Sequence, residues 1–259
     1  MKRKTKITMW TVAAAVLLLG GTWGGFCLWE YLYERSHPIF EQTRVFPNDG
    51  DCPADTTFNV NGIDVKMIGV KGGKVCWKGI RDTIVLDDFF IGETEVTQEL
   101  WVSVMGYNPS AHKDSALCPV ENIDLADCFR FVHRLDSISG VDFRIQTYFQ
   151  WIHAAHLGNG NADYLYCGGD ALDSLGWYEG NAGNRSHPVK QKRPNALGIY
   201  DMTGNVSEWT MSGSDPLFLV VGGGYNSGKE GCEMAREEFD FATITSAAMG
   251  LRLVYIPKK

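Results

Sequence analysis

The sequence contains no Cys-x-x-Cys, no His-Glu-x-x-His, no Gly-x-Ser-x-Gly and no Gly-rich loop ending in Gly-Lys-Ser/Thr. A zinc ribbon, a thioredoxin-type redox pair, a zinc-protease helix, a serine-hydrolase elbow and a P-loop are therefore excluded in their usual forms. There is no surplus of positive charge. Lys and Arg number 24 against 31 Asp and Glu, for a net charge of −7, so no broad basic surface awaits nucleic acid. No internal repeat or low-complexity tract interrupts the chain past residue 57. Hydrophobic residues at 44% and charged residues at 21% exclude wholesale disorder. What is abundant is glycine and aromatic residues: 29 Gly, 8 Trp, 10 Tyr and 13 Phe among 259 residues. That much glycine argues against a helix bundle, because it weakens helix interiors. A turn-rich fold with large aromatic anchors fits better.

The first 29 residues have a composition of their own. Lys2, Arg3, Lys4 and Lys6 form a basic tip, and residues 7–29 then run without a charge. Such a stretch crosses a hydrocarbon core of ~30 Å as a helix. The basic tip predicts a cytoplasmic amino terminus and an exported remainder. Trp23, Trp29, Tyr31 and Tyr33 suit the far interface. A cleaved signal has a shorter apolar run and small residues before the cut, and here Phe26 precedes Cys27. The expectation is an uncleaved single-pass anchor in the cytoplasmic (inner) membrane, with the carboxyl-terminal part periplasmic or extracellular. Without the tip, 20 basic residues face 31 acids, so the exported part carries close to −11. It also holds Cys52, Cys76, Cys118, Cys128, Cys167 and Cys232. An even number in an oxidising compartment permits full disulfide pairing. Buried free thiols are the alternative.

Residues 30–57 read as a linker, rich in turn formers such as His37-Pro38 and Pro47-Asn48-Asp49-Gly50. Residues 58–259 read as one domain. Strand patterns appear at Phe58 to Met67, with Asn61-Gly62 as a hairpin turn, at Thr83–Leu86 and at Phe89–Ile91. Lys71-Gly72-Gly73-Lys74 reads as a further turn. Thr97 caps a helix that Gly106 ends, and Leu100, Trp101, Val104 and Met105 recur at helical spacing. Asp124 caps a second, stopped by Gly140, with a buried stripe of Leu125, Cys128, Phe129, Val132 and Leu135. Thr147 caps a third that Gly158 ends. Beyond it lies mostly loop, with apolar runs at Leu217–Val221 and Leu251–Ile256.

Several segments together resemble the formylglycine-generating enzyme (sulfatase-modifying factor) family in its bacterial form. They are Phe90 to Gln98, Val104 to Ser110, Pro119 to Ile123, Trp177-Tyr178 with Asn181 to Asn184 and His187-Pro188-Val189. The strongest is Asn195-Ala196-Leu197-Gly198-Ile199-Tyr200-Asp201-Met202-Thr203-Gly204-Asn205-Val206-Ser207-Glu208-Trp209. Gly222-Gly223-Gly224-Tyr225, Arg236 and Gly250-Leu251-Arg252 follow in the family's order. The resemblance implies an α+β, loop-rich domain related to the C-type lectin fold.

The resemblance also carries chemistry. The family's oxidase binds Cu(I) through two cysteines five residues apart, after the Gly-Gly strand, and uses O₂ to turn a substrate Cys into formylglycine. Those positions here are Ser227 and Cys232. A hydroxyl is a hard, neutral ligand and a poor substitute for a thiolate on Cu(I), so copper is not expected unless another cysteine, such as Cys167, folds in beside Cys232. Two further departures agree: Val221 stands where the family has Arg, and Phe143 to Ile152 lacks three acids and a proline of the family pattern. Sister branches bind iron through His residues on an added helical domain. Residues 1–57 are too short for one, and His153 with His156 is the only close His pair. The family's calcium site maps onto Asp201, the carbonyls of Gly204 and Val206, and Glu208, which predicts structural Ca²⁺ held by hard oxygen ligands.

Two functions are open at this point. The first is an anchored, exported, non-catalytic binding or scaffold module of the cell envelope. Its ligand surface lies near Tyr225, Asn226, Ser227, Cys232, Arg236 and Arg252, and its partner is an envelope protein or an extracellular ligand. The second is a metal-dependent oxidase of the formylglycine-generating type, with Cys232 catalytic, or an iron enzyme of a sister branch.

Overall fold

The computed structural model describes residues 44–76, 83–160, 162–214, 217–234, 236 and 238–258. The basic tip, the expected span at 7–29 and the linker up to residue 43 lie outside them. Among the described residues no helix is long and apolar enough to cross a membrane. Thr43–Lys259 forms one compact unit.

Among the described residues, three sheets and three main helices build this unit. The central sheet has five strands in the order β2-β3-β6-β12-β7. They are β2 (Thr56–Val60), β3 (Ile63–Val70), β6 (Phe89–Gly92), β12 (Leu253–Tyr255) and β7 (Phe143–Ile145). The β2–β3 hairpin turns where expected, at Asn61 (φ 52°) and Gly62 (φ 84°), both left-handed as a type I′ turn requires. A second sheet, β1-β4-β5, joins Arg44–Pro47, Gly73–Cys76 and Thr83–Leu86. A third runs β10-β9-β8-β11: Glu238–Phe241, Leu217–Val221, Ser207–Ser214 and Met249–Gly250.

The helices begin at their predicted caps. In α1 (Gln98–Met105) the Thr97 side chain accepts from Leu100 N–H, and Gly106 closes the helix in the left-handed conformation. Both α2 (Leu125–Ser139), from Asp124, and α3 (Tyr148–Gly158), from Thr147, start with reciprocal capping boxes. Such a cap is worth ~1 kcal/mol because it satisfies backbone donors that the helix leaves open. A fourth helix, α4 (Leu172–Leu175), is a single turn.

The central sheet separates two apolar clusters. Met67, Ile145 and Leu253 face α1 and α2, where Trp101 stacks on Phe131 at 4.8 Å. Ile68, Ile91 and Val254 face α3 and its Trp151. Neighbouring residues of one strand enter opposite clusters because strand side chains alternate faces.

Four readings of the sequence need correction. Arg44–Pro47, inside the expected linker, is a strand, and its partner Gly73–Cys76 takes up the second half of the expected turn at Lys71-Gly72-Gly73-Lys74. Each is too short to show a pattern without the other. Ser207–Ser214 is a strand despite its polar composition, because its polar side chains are answered inside the fold: Thr210 Oγ1 donates to the Leu219 carbonyl. Gly158 lies within α3 rather than beyond it. A Cβ there would stand 2.0 Å from Asn195 Nδ2, so the glycine admits a close approach. Finally, the buried stripe of α2 is Leu125, Cys128, Phe131 and Leu135. Val132 packs beside it, and Phe129 is exposed. All six cysteines among the described residues are free thiols.

Candidate functional site

The Asn195–Trp209 segment is a hub. Asn195 Oδ1 accepts from the Leu197 and Ile199 backbone and curls the chain. Gly204 (φ 76°) and Asn205 (φ 64°) are both left-handed. Asn205 N–H donates to the Trp177 carbonyl at 2.7 Å, and its side-chain amide donates to Glu95 Oε2 at 2.8 Å. The other Glu95 oxygen accepts from Val206 N–H at 3.0 Å. Glu208 Oε1 takes two bonds from Arg252, from Nε at 2.9 Å and Nη2 at 2.6 Å. Its Oε2 accepts from Gln146 Nε2 at 2.6 Å. Arg252 also donates to the carbonyls of Gly92 and Tyr200.

Glu208 binds the buried guanidinium of Arg252 directly, and Glu95 and Asp201 feel its charge through space. Burial pushes Glu95 well above the ordinary carboxylate range, Asp201 and Glu208 reinforce the shift, and Arg252 opposes it. Burial likewise raises Asp201 to about 6, against a hydrogen bond from Lys190 N–H and the charge of Arg252. The expected calcium ligands lie here, and they fit the ion only in part. Asp201 keeps a buried oxygen, Oδ1, without a partner. Both oxygens of Glu208 are taken by Arg252 and Gln146. Positive charge at this point already comes from the protein. Arg252 is therefore a core residue, wholly buried, and not the ligand-facing group expected from the sequence.

The region expected to bind ligand is built on Gly222-Gly223-Gly224-Tyr225. Gly222 (φ 88°) and Gly223 (φ 68°) turn left-handed. A Cβ on Gly223 would stand 2.5 Å from the Gly231 carbonyl oxygen and 2.9 Å from Cys232 Sγ. The missing side chain lets a 3-10 turn, Lys229–Cys232, pack against this backbone. Ser227 closes the preceding loop. Its Oγ accepts from Gly224 N–H at 3.0 Å, and its carbonyl accepts from Glu179 N–H. Cys232 is buried beside Tyr166, Leu172, Leu175 and Tyr178. Burial, with Glu238 adding to it, pushes its thiol up to about 12. Cys167 belongs to the apolar cluster around Trp151 instead, and burial also raises its thiol to about 12. Neither sulfur is poised as a thiolate, and Ser227 is spent on the backbone. These residues do not fit a Cu(I) dithiolate.

Tyr225 is buried, Asn226 is exposed, and Arg236 is a surface residue 3.8 Å from Glu238. What gathers around Tyr225 was not legible as a site. His112 meets its ring edge-on at 5.2 Å and places Nδ1 2.8 Å from Glu121 Oε1. Glu121 is fully buried and raised by that burial against its bonds from His112. Trp177 stacks on His187 at 3.8 Å, with Lys192 Nζ 3.8 Å from the Trp177 ring centroid. Glu121, Trp177 and His187 sit in quoted motif segments, whereas nothing in the sequence marks His112.

The histidine pair of α3 serves packing. His153 Nε2 lies 2.7 Å from the Lys71 carbonyl, and its Nδ1 is buried without a partner. Burial lowers the pKa of both histidines, and for His156 Asp163 opposes the shift while His153 adds to it. The fold therefore favours neutral His153. Its contribution is present above the ordinary 6.5 and is lost as pH falls below that value toward the lower folded pKa. Urea midpoints measured from pH 8 to pH 5 are expected to fall less for His153→Gln than for the parent protein. Equal slopes would refute this role.

Residues 60–256 match the model of the sulfatase-modifying factor enzyme 1-like domain. The chain belongs to this family. It is 30% identical over 176 residues to the chaperone protein LppX of Paenibacillus barcinonensis, covering 49% of this chain and 62% of that protein. It spans about three-fifths of that relative's length. Among solved structures it is similar to Treponema denticola variable protein 1, with TM-score 0.71 and 24% identity over 79% of this chain and all of that one. PvdO from Pseudomonas aeruginosa matches at TM-score 0.62 and 15% identity, over 82% of this chain and 97% of that one. CarF matches at 0.62 and 22%, over 75% and 99% respectively. At these identities the structures establish the α+β, sheet-rich family fold.

Proposed function

We propose that this sulfatase-modifying-factor-like domain is a non-catalytic binding module, carried on an amino-terminal membrane anchor and acting on a polypeptide of the cell envelope. The observation that carries the reading is Ser227. It holds the position of the family's first copper cysteine, and its hydroxyl accepts from Gly224 N–H. The remaining cysteine is buried, with its thiol raised to about 12. A thiol held protonated is a poor metal ligand and a poor nucleophile. The likeness to a protein described as a chaperone supports a polypeptide partner. Loops on a rigid frame suit recognition.

Copper separates this reading from the oxidase. With a competing Cu(I) chelator, the purified protein is expected to retain no copper and to return a Cys-containing peptide unchanged. Ser227→Cys supplies a second thiolate beside the same glycine turn. The gain in Cu(I) affinity should exceed the roughly 10–100-fold that outer-shell partners contribute to metal sites. Stoichiometric copper on the parent protein, together with formylglycine in the peptide, would overturn the proposal.

A further inference from the structure

We propose that Asn61-Gly62 is a latent deamidation site, held shut in the folded hairpin by Asn59 and α1 and open to reaction when the turn parts from that helix. It lies outside the Tyr225–Cys232 region and does not depend on the binding function proposed above. Two Asn-Gly pairs occur in the chain, Asn61-Gly62 and Asn159-Gly160.

The chemistry is intramolecular, with water as the co-reactant. The backbone nitrogen of Gly62 attacks Cγ of Asn61 and forms a C–N bond. The side-chain nitrogen leaves as ammonia, taking the proton that the Gly62 amide gives up. Water then opens the cyclic imide at either carbonyl and leaves aspartate or isoaspartate. One water is consumed and one ammonia released, with no oxidant or reductant. Glycine favours the attack because it has no Cβ to shield its nitrogen. Both residues are exposed, so water reaches them.

Three hydrogen bonds oppose the reaction in the folded chain. Gly62 N–H, the nucleophile, donates to Asn59 Oδ1 at 3.1 Å. Asn59 is itself held, because its Nδ2 donates to Asp64 Oδ1 at 2.8 Å. The leaving group is tied as well: Asn61 Nδ2 donates to the Ser103 carbonyl of α1 at 2.9 Å. Attack requires Asn61 Cγ and Gly62 N to turn toward each other, which breaks the bonds at both ends. The left-handed turn, clamped by the Val60–Ile63 pair, resists that rotation.

The lock is local. Asn59, Asn61 and Asp64 are exposed, whereas Val65 and Met67 further along β3 are buried. A turn held by exposed bonds opens at lower free energy than the strands behind it. Asn159-Gly160 serves as an internal reference. Asn159 is buried, its Oδ1 accepts from Gly168 N–H at 2.6 Å, and its Nδ2 donates to the Tyr166 carbonyl at 3.3 Å. Its reaction requires the surrounding core to open. Modification at Asn61 also changes the fold, because neither product keeps a side-chain donor for the Ser103 carbonyl. The joint between hairpin and α1 then loses a hydrogen bond and gains a negative charge.

The test incubates the full chain at about pH 8 and follows both sites by peptide mapping, in buffer and in guanidinium chloride below and above the unfolding midpoint. Asn61 is expected to convert at least about tenfold more slowly in buffer than above the midpoint, which corresponds to an opening free energy of about 1.4 kcal/mol or more. Below the midpoint Asn61 should react before Asn159. Asn59→Ala frees Gly62 N–H and should speed conversion at Asn61 several-fold while Asn159 stays unchanged. Asn61→Asp, the normally linked product, should lower the melting temperature by roughly 2–4 °C, the size of one net hydrogen bond. The proposal is overturned if Asn61 converts equally fast in the folded and unfolded chain, or stays intact in both. It is also overturned if the two sites react in step at every denaturant concentration, or if Asn59→Ala leaves the rate at Asn61 unchanged. Equal acceleration of both sites by Asn59→Ala would assign the effect to loss of the fold, and an unchanged melt for Asn61→Asp would remove the tie to α1. Either result likewise overturns it.

Discussion

Arg252→Met is expected to cost about 3–5 kcal/mol of folding stability, as breaking a buried ion pair from one side does. Against a typical total of ~5–15 kcal/mol this is a large share. For a domain of this size it corresponds to a fall in melting temperature of roughly 6–20 °C. The cause is what the substitution leaves behind. Glu208 loses both bonds on Oε1, and the Gly92 and Tyr200 carbonyls lose a donor. Glu95 and Asp201 also lose a buried cation that opposes their upward shift. Pairing Arg252→Met with Glu208→Gln removes the orphaned charge and should recover part of the loss. A double-mutant cycle in urea measures the coupling. Additive losses would mean that the pair is not a unit.

Gly204→Ala is expected to match or exceed that loss. Gly204 sits at φ 76°, and a Cβ there would stand 2.2 Å from the Trp177 carbonyl oxygen. The left-handed conformation costs an L residue ~1–2 kcal/mol. The overlap adds more, because neither wall can retreat. Trp177 O accepts from Asn205 N–H at 2.7 Å, and Gly204 N–H donates to Gly222 O at 2.9 Å. A total above ~4 kcal/mol is expected, in the range that marks a specific steric failure. Gly183 separates the two causes. Its φ is 62° and nothing lies within 4 Å of its Cβ position, so Gly183→Ala should show the conformational cost alone. Equal losses at the two positions, read from urea midpoints, would refute the role given to the Trp177 contact.

These two residues also show what was legible in the sequence. Gly204 and Glu208 stand in the motif that identifies the family, and the caps Thr97, Asp124 and Thr147 lie where local chemistry puts them. Local signals suffice there because a cap is settled within four residues. Arg252 was read as ligand-facing because a terminal Gly-Leu-Arg says nothing of its distant partner. Phe129 and Phe131 are two residues apart on one helix, and the choice between them is made by Trp101, which stacks on Phe131. Arg44–Pro47 became a strand because Gly73–Cys76 lies beside it. At the candidate site, Ser227 stood out only because the family resemblance places a cysteine at that position. The His112–Glu121 contact with Tyr225 was not legible, because a loop histidine carries no periodicity.

The Arg252–Gly92 bond also bears on the order in which the chain folds. It joins residues 160 positions apart, and Glu95 reaches Val206 across 111. Contacts this distant close late, after the loop entropy between them has been spent. Most of the domain therefore emerges from the ribosome before the residue that neutralises its buried acids has been made. A nascent chain stopped short of Arg252 holds a hub it cannot complete, so completion of the hub is expected to wait for Arg252, and a product truncated before it is expected to be cut faster by protease than the full chain.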